Sequence, residues 1–189
     1  MRWKRRQDSL GMADNGHMRV SAKADYAVRA AAELAAASGK RPLKRDEISA
    51  AQRIPSKFLE TIMLELKHAG IVKSTRGAGG GYSLARPAAD ISVADVIRAV
   101  DGPMATVRGE RVEVVEYEGA ARALRDVWVA VRASLRRVLE TTSLQDLVED
   151  HLPERVRELT ADPEAWISLN RRRRSPAAVQ ANVSGNRTA

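Results

Sequence analysis

The chain contains no cysteine. That absence removes thiolate nucleophiles, disulfides and all-cysteine metal sites at once. Aromatic residues are scarce, at 4% of 189 residues with a single phenylalanine. The apolar 44% is therefore mostly Ala, Val and Leu, a composition that favours helices. No stretch approaches the ~18 continuous apolar residues of a membrane span, and the basic start lacks the apolar run of a secretory signal. Three histidines, His17, His68 and His151, are scattered along the chain. No nucleophile–base–acid set can be assembled from them, so no enzymatic activity is expected. The lack of disulfides accords with a cytoplasmic protein.

What the chain does have is positive charge, unevenly placed. The net charge is +8. Residues 18–89 hold 13 basic and 6 acidic side chains, whereas residues 90–169 hold 10 basic and 16 acidic. A basic half joined to an acidic half implies that one end faces a polyanion and the other does not. Residues 1–17 show no periodicity and are expected to be a disordered arm, with Met18 as an alternative beginning. The arginine run Arg171–Arg174 sits in a polar tail and reads as a solvated basic segment.

Four divisions are expected: the arm 1–17, a DNA-binding domain 18–102, a linker and dimerisation helix 103–152, and an extension with a basic tail 153–189. Ser21 predicts the N-cap of a helix running to about Ala37. A second helix is expected over Lys44–Gln52, a turn at Arg53-Ile54-Pro55, and a third helix over Ser56–Ala69. Ile71–Thr75 and Tyr82–Ala85 read as strands joined by the glycine-rich tip 76–81. Ser92 with Asp95 three residues on forms a capping box for a fourth helix ending at Gly102-Pro103. Residues 104–119 allow either strand or helix. A helix over Ala120–Thr141, roughly 33 Å long at 1.5 Å per residue, carries the stripe Leu124, Val127, Trp128, Val131, Leu135, Val138 and Leu139. Left alone that stripe would be wet, so it must pack on the domain, on another chain or on both, and homodimerisation through it is the expectation set against purely intramolecular packing. Ser143 and Asp146 cap a short helix ending near Leu152.

Helix, turn, helix and a basic glycine-tipped hairpin make a winged-helix pattern, which presents a helix to one groove of DNA and a hairpin to another. The fold expected is mainly α with a small β-hairpin wing. On a helical wheel Phe58, Leu59, Ile62, Met63 and Leu66 fall within an arc of about 140°, the core face. Lys57, Glu60, Thr61, Leu64, Lys67 and His68 lie opposite. Lys57 suits guanine or phosphate, and Thr61 a thymine methyl. Glu60, repelled by phosphates, suits the amino group of cytosine, or else is an exposed acid paired with Lys57 or Lys67. Leu64 is expected to rest against the wing. Ser21, Lys23, Tyr26 and Ser56 complete the DNA-facing set on the first and third helices. In the hairpin, Arg76 suits a narrow minor groove, and Gly77, Gly79 and Gly80 permit a tight loop and close approach to the sugar–phosphate wall. A nucleotide-binding phosphate loop does not fit: the string lacks Gly-Lys-Ser/Thr, and its flanks are both strands.

Met18 to Ala27, Ile54-Pro55-Ser56-Lys57-Phe58-Leu59-Glu60, Gly77 to Tyr82, and Ile97-Arg98-Ala99-Val100-Asp101-Gly102 together resemble the Rrf-two (Rrf2) family of bacterial winged-helix regulators, over about residues 18–150. The resemblance implies a homodimer joined through the long helix, an imperfect palindrome as target, base contacts from Lys57 and Glu60, and Arg76 in the minor groove. Two departures stand out. Arg53 occupies a turn position often held by Gly. Cluster-binding members carry cysteines between the fourth and the long helix, and residues 103–119 here have none. A repressor with no cofactor and no metal site is therefore expected. Its partners are double-stranded DNA, a second copy of itself, and an unknown small-molecule or protein effector, with no membrane. The acidic set Glu110, Glu113, Glu116 and Glu118 reads as a solvated face, and His151 with Glu154 as surface. The competing reading is a protein-interaction adaptor on a winged-helix scaffold that no longer reads DNA.

Overall fold

The computed structural model describes residues 20–167 apart from Ala78. The arm 1–17 and the run Arg171–Arg174 lie outside the described residues. The chain divides into two units at Pro153/Glu154.

The first unit is organised around α1 (Ala22–Ala36). Ser21 caps it by accepting from the Ala24 N–H at 2.9 Å. Ala24, Ala27, Ala30 and Ala31 are fully buried along one side, with Leu34 beside them. Methyl-sized side chains let neighbouring backbones come close, and α2 (Arg45–Gln52), α3 (Ser56–His68), α4 (Val93–Asp101) and α6 (Leu144–Val148) all pack on this face. Ile48, Ile54, Leu59, Ile62, Met63, Leu66, Ile71, Val96 and Leu144 fill the space between them. Burial of this kind contributes roughly 25 cal/mol per Å² of apolar surface, which is what holds such short helices in place.

Helix ends are set by local chemistry. The Glu47 carboxylate accepts from the Lys44 N–H at 2.7 Å and opens α2. Arg41 donates to the same carboxylate at 3.0 Å. Those two hydrogen bonds, the Arg41 one first, hold the Glu47 carboxyl down at about 2. The capping boxes at Ser92/Asp95 and Ser143/Asp146 are both formed. Their two N-caps sit side by side: Val93 N–H donates to the Thr142 carbonyl and Leu144 N–H to the Ile91 carbonyl, both at 2.9 Å. This short bridge pins α6 to the start of α4.

The wing is the antiparallel pair β1 (Val72–Thr75) and β2 (Gly81–Leu84), with Val72 opposite Leu84. Leu43 bridges to the other edge of β2 by exchanging two backbone hydrogen bonds with Tyr82, at 2.8 and 2.9 Å. The segment between α4 and α5 (Leu124–Leu139) forms a short hairpin, β3 (Thr106–Val107) with β4 (Glu110–Arg111), followed by irregular chain with Val112 and Val115 buried.

Three expectations need correction. The long helix α5 covers Leu124–Leu139, 16 residues or about 24 Å, because the chain at Gly119–Ala121 tightens into a separate 3-10 turn. α6 stops at Val148, not near Leu152. Phe58 is not core: at the edge of the helical arc it is left 54% exposed. In the second unit, α7 (Glu154–Thr160) precedes a 3-10 turn over Pro163–Trp166, and the Trp166 indole donates to the Thr160 carbonyl at 2.8 Å.

The α2–α3 turn closes through Arg53, which adopts the left-handed conformation at φ 52°, ψ 41°. A side chain there costs about 1 kcal/mol relative to glycine. Arg53→Gly should raise stability by roughly that amount, less any entropy gained by the unfolded chain, measured by denaturant unfolding. A fall in stability would contradict this account of the turn.

Candidate DNA-binding interface

α3 buries Leu59, Ile62, Met63 and Leu66 and turns the other side outward. Lys57, Glu60, Thr61, Leu64, Lys67 and His68 are all exposed. Leu64 does not rest against the wing; it is 54% exposed. Glu60 is 73% exposed, and its nearest cation is Arg45 of α2 at 3.7 Å. So long a surface pair restrains the carboxylate weakly and contributes little to stability. Glu60 pairs with neither Lys57 nor Lys67, and Arg45 joins the candidate surface. The wheel of α3 alone gave no sign of Arg45, because the contact crosses between two helices.

Ser56 opens α3 with its hydroxyl 3.4 Å from that of Ser49. Beside it, Phe58 meets Tyr26 edge to face with ring centroids 6.1 Å apart, and the Arg29 guanidinium lies 5.5 Å over the Tyr26 ring. This aromatic step lies where α1 meets the start of α3. Ser21 is half-buried and its hydroxyl serves as a helix cap.

Lys23 is held within the fold. Its ammonium donates to Glu65 of α3 at 2.9 Å and to the Val100 carbonyl of α4 at 2.6 Å. It ties three helices together while about a third of its side chain, 33%, stays exposed.

Arg76 is exposed at the entrance to the wing tip. Gly77 takes φ +106°, and its carbonyl accepts from the Gly80 N–H at 2.9 Å. A Cβ on Gly80 would fall 2.9 Å from that carbonyl and closer still to the Thr75 carbonyl. The tip closes this tightly only without side chains at those positions. Gly79 is exposed between them.

α5 has no buried residue. Val127 is 51% exposed, while Leu124, Val131, Leu135 and Val138 are half-buried. Trp128 is partly accounted for within the chain, since its indole N–H donates to the Tyr117 hydroxyl at 3.1 Å.

A family model named Rrf2, described as an iron-dependent transcriptional regulator, matches residues 20–150. A Mycobacterium tuberculosis (strain H37Rv) protein, Rv1287, which carries a provisional name as an HTH-type transcriptional regulator, is 49% identical over 151 residues, 80% of this chain and 94% of that one. The HTH-type transcriptional regulator CymR of Bacillus subtilis is 35% identical over 69% of this chain and 89% of its own. Among solved structures, CymR, titled the global cysteine regulator of B. subtilis, superposes with a TM-score of 0.62 at 34% identity, covering 71% of this chain and 98% of that one. IscR of T. potens superposes at 0.59 with 34% identity, covering 70% and 87%.

Iron, which the family's description implies, does not fit the donors present. Residues 103–119 hold no thiolate and no imidazole, and the Glu113 carboxylate is taken up by Arg111 and Arg132. No group of three or more His, Asp or Glu converges among the described residues. Hard, arginine-paired oxygens are a poor match for iron–sulfur chemistry.

The contrast between Lys57 and Lys23 is measurable. Lys57→Ala should lower DNA affinity and flatten the log affinity–log salt slope by about 0.9, one phosphate contact. Lys23→Ala should leave the slope unchanged and lower the melting temperature. Fluorescence anisotropy across a salt series with circular dichroism melts reads both. A slope change for Lys23 alone would reverse the assignment.

Proposed function

The chain belongs to the Rrf2 family and is a DNA-binding transcriptional regulator, and from that premise we propose that it is a homodimeric repressor that reads a palindromic operator without an iron–sulfur cluster. The observation that carries this reading is the exposed face of α3, where Lys57, Glu60 and Thr61 stand clear of the core beside a basic wing. Lys57 and Thr61 meet base edges or phosphates in the major groove. Glu60, weakly held by Arg45, accepts from a cytosine amino group. Arg76 and the glycine tip approach the minor groove. Ser56, Lys67 and Tyr26 flank these contacts and position the helix on the backbone. The 18–102 segment is the DNA-binding domain, 103–152 the dimerisation region, and 153–189 an extension. The protein works in the cytoplasm, not as an enzyme, with a small-molecule or protein effector as its input.

Dimerisation rests on α5. A helix with no buried residue and a stripe of Leu124, Val127, Trp128, Val131, Leu135 and Val138 is unsatisfied in one chain. A twofold axis through that stripe sets two α3 helices in opposed orientation, which is why the operator is palindromic.

Val131→Asp buries a carboxylate twice per dimer, each burial costing several kcal/mol. Sedimentation should show monomer, and operator affinity should fall although every DNA-facing residue is intact. A folded mutant that remains dimeric would remove the basis for the palindrome.

Glu60→Ala should change the preferred base at one position per half-site while leaving nonspecific affinity nearly constant. The check is binding to a set of single-base operator variants. An unaltered preference would exclude Glu60 from readout.

A further inference from the structure

A cavity of about 410 Å³ lies between the C-terminal end of α4, the β3–β4 hairpin and α5. Its charged lining is Arg98, Arg111, Arg132, Arg136 and Glu113, and its apolar lining comes from Pro103, Met104 and Ala105. The volume is that of a small-molecule site.

The charge in this cavity is not balanced. Glu113 accepts from Arg111 at 2.8 Å and also from Arg132. Glu140 accepts from Arg136 at 2.9 Å and also from Arg98. Two carboxylates therefore serve four guanidiniums. Asp95, 3.8 Å from Arg98, does not restore the balance, because it also pairs with Arg86 at 3.2 Å. Two positive charges remain. A backbone hydrogen bond and then Arg111 and Arg132 hold the Glu113 carboxyl at about 2, and Arg136 and Arg98 hold that of Glu140 below its ordinary range, so protonation of the acids does not supply or remove charge near neutrality.

Converging arginines are costly to assemble unless something answers them. Each carboxylate fixes two guanidiniums in space, leaving N–H groups directed elsewhere; a guanidinium has five donors in a rigid fork. Arg111 and Arg136 are the more open pair, with side chains 72% and 52% exposed. They can engage a ligand without leaving their glutamates.

We propose that this cavity is a binding site for a small organic dianion, a dicarboxylate or a phosphate ester, held by Arg98, Arg111, Arg132 and Arg136 with its carbon skeleton on Pro103, Met104 and Ala105. Both ligand types present paired oxygens to a planar fork, and each carries the charge the site lacks. The site stands apart from the DNA-facing side of α3 and does not depend on the DNA-binding reading.

The test is isothermal titration calorimetry on the full-length protein with succinate and with glycerol 3-phosphate, against acetate and glycerol as singly charged and neutral controls. Binding of succinate, glycerol 3-phosphate or both, at least tenfold tighter than acetate (about 1.4 kcal/mol), is expected. Arg111→Gln and Arg136→Gln should each weaken binding by about tenfold, as for loss of a charge-assisted hydrogen bond. Glu113→Gln raises the excess charge and should tighten binding severalfold, an effect that a merely structural ion-pair network would not produce. Circular dichroism melts establish that each variant is folded. Failure of both dianions to bind at millimolar concentration overturns the proposal. So do acetate binding as tightly as succinate, dianion binding undiminished in both arginine variants, and Glu113→Gln binding no tighter than the parent.

Discussion

The buried alanine face of α1 is the constraint from which the rest of the first unit follows. Ala24, Ala27, Ala30 and Ala31 have no exposed surface, and four helices lie against them. A larger side chain at any of these positions would push a helix outward and, through Lys23, disturb the joint where α1, α3 and the end of α4 meet. Close packing of this kind tolerates little added volume. The angle at which α3 holds Lys57 and Glu60 outward is thus fixed by buried residues on another helix.

The wing is placed by the same logic. Leu43, just before α2, pairs with Tyr82, so the hairpin carrying Arg76 is tied to the chain that leads into the helix-turn-helix. The backbone bridge thus joins the wing to the start of α2. α5 is different in kind. It leaves this body with no side chain fully buried, and the ion pairs Arg98–Glu140 and Arg132–Glu113 tie it to α4 and to the chain that follows β4. A core that specifies one orientation and an outlying helix with an apolar stripe suit a protein that positions two copies of a rigid reader.

Much of this was legible in the chain because the signals were local. Ser21, Ser92 and Ser143 mark helix starts through caps that act over three residues, and all three are formed. The face of α3 follows from a period of 3.6. Arg53 stands where a glycine is often found, and the turn keeps the left-handed conformation despite the side chain. What sequence missed depends on neighbours. Phe58 lies at the edge of an apolar arc, and only the packing around α3 decides that it stays outside. Lys23 reads as a free cation until Glu65 and Val100, 42 and 77 residues away, are brought beside it. The clustering of Arg98, Arg111, Arg132 and Arg136 around one cavity joins two helices and a hairpin, and no spacing rule announces it.

The central claim is that two copies of one rigid winged helix read an inverted repeat. Selection of bound sequences from a random duplex library by the purified full-length protein tests this most directly. An inverted repeat with half-sites about one helical turn apart should be enriched, each with a cytosine in the major groove and A/T-rich pairs beneath the wing. Enrichment of a single unrepeated site, or of no sequence at all, would contradict it.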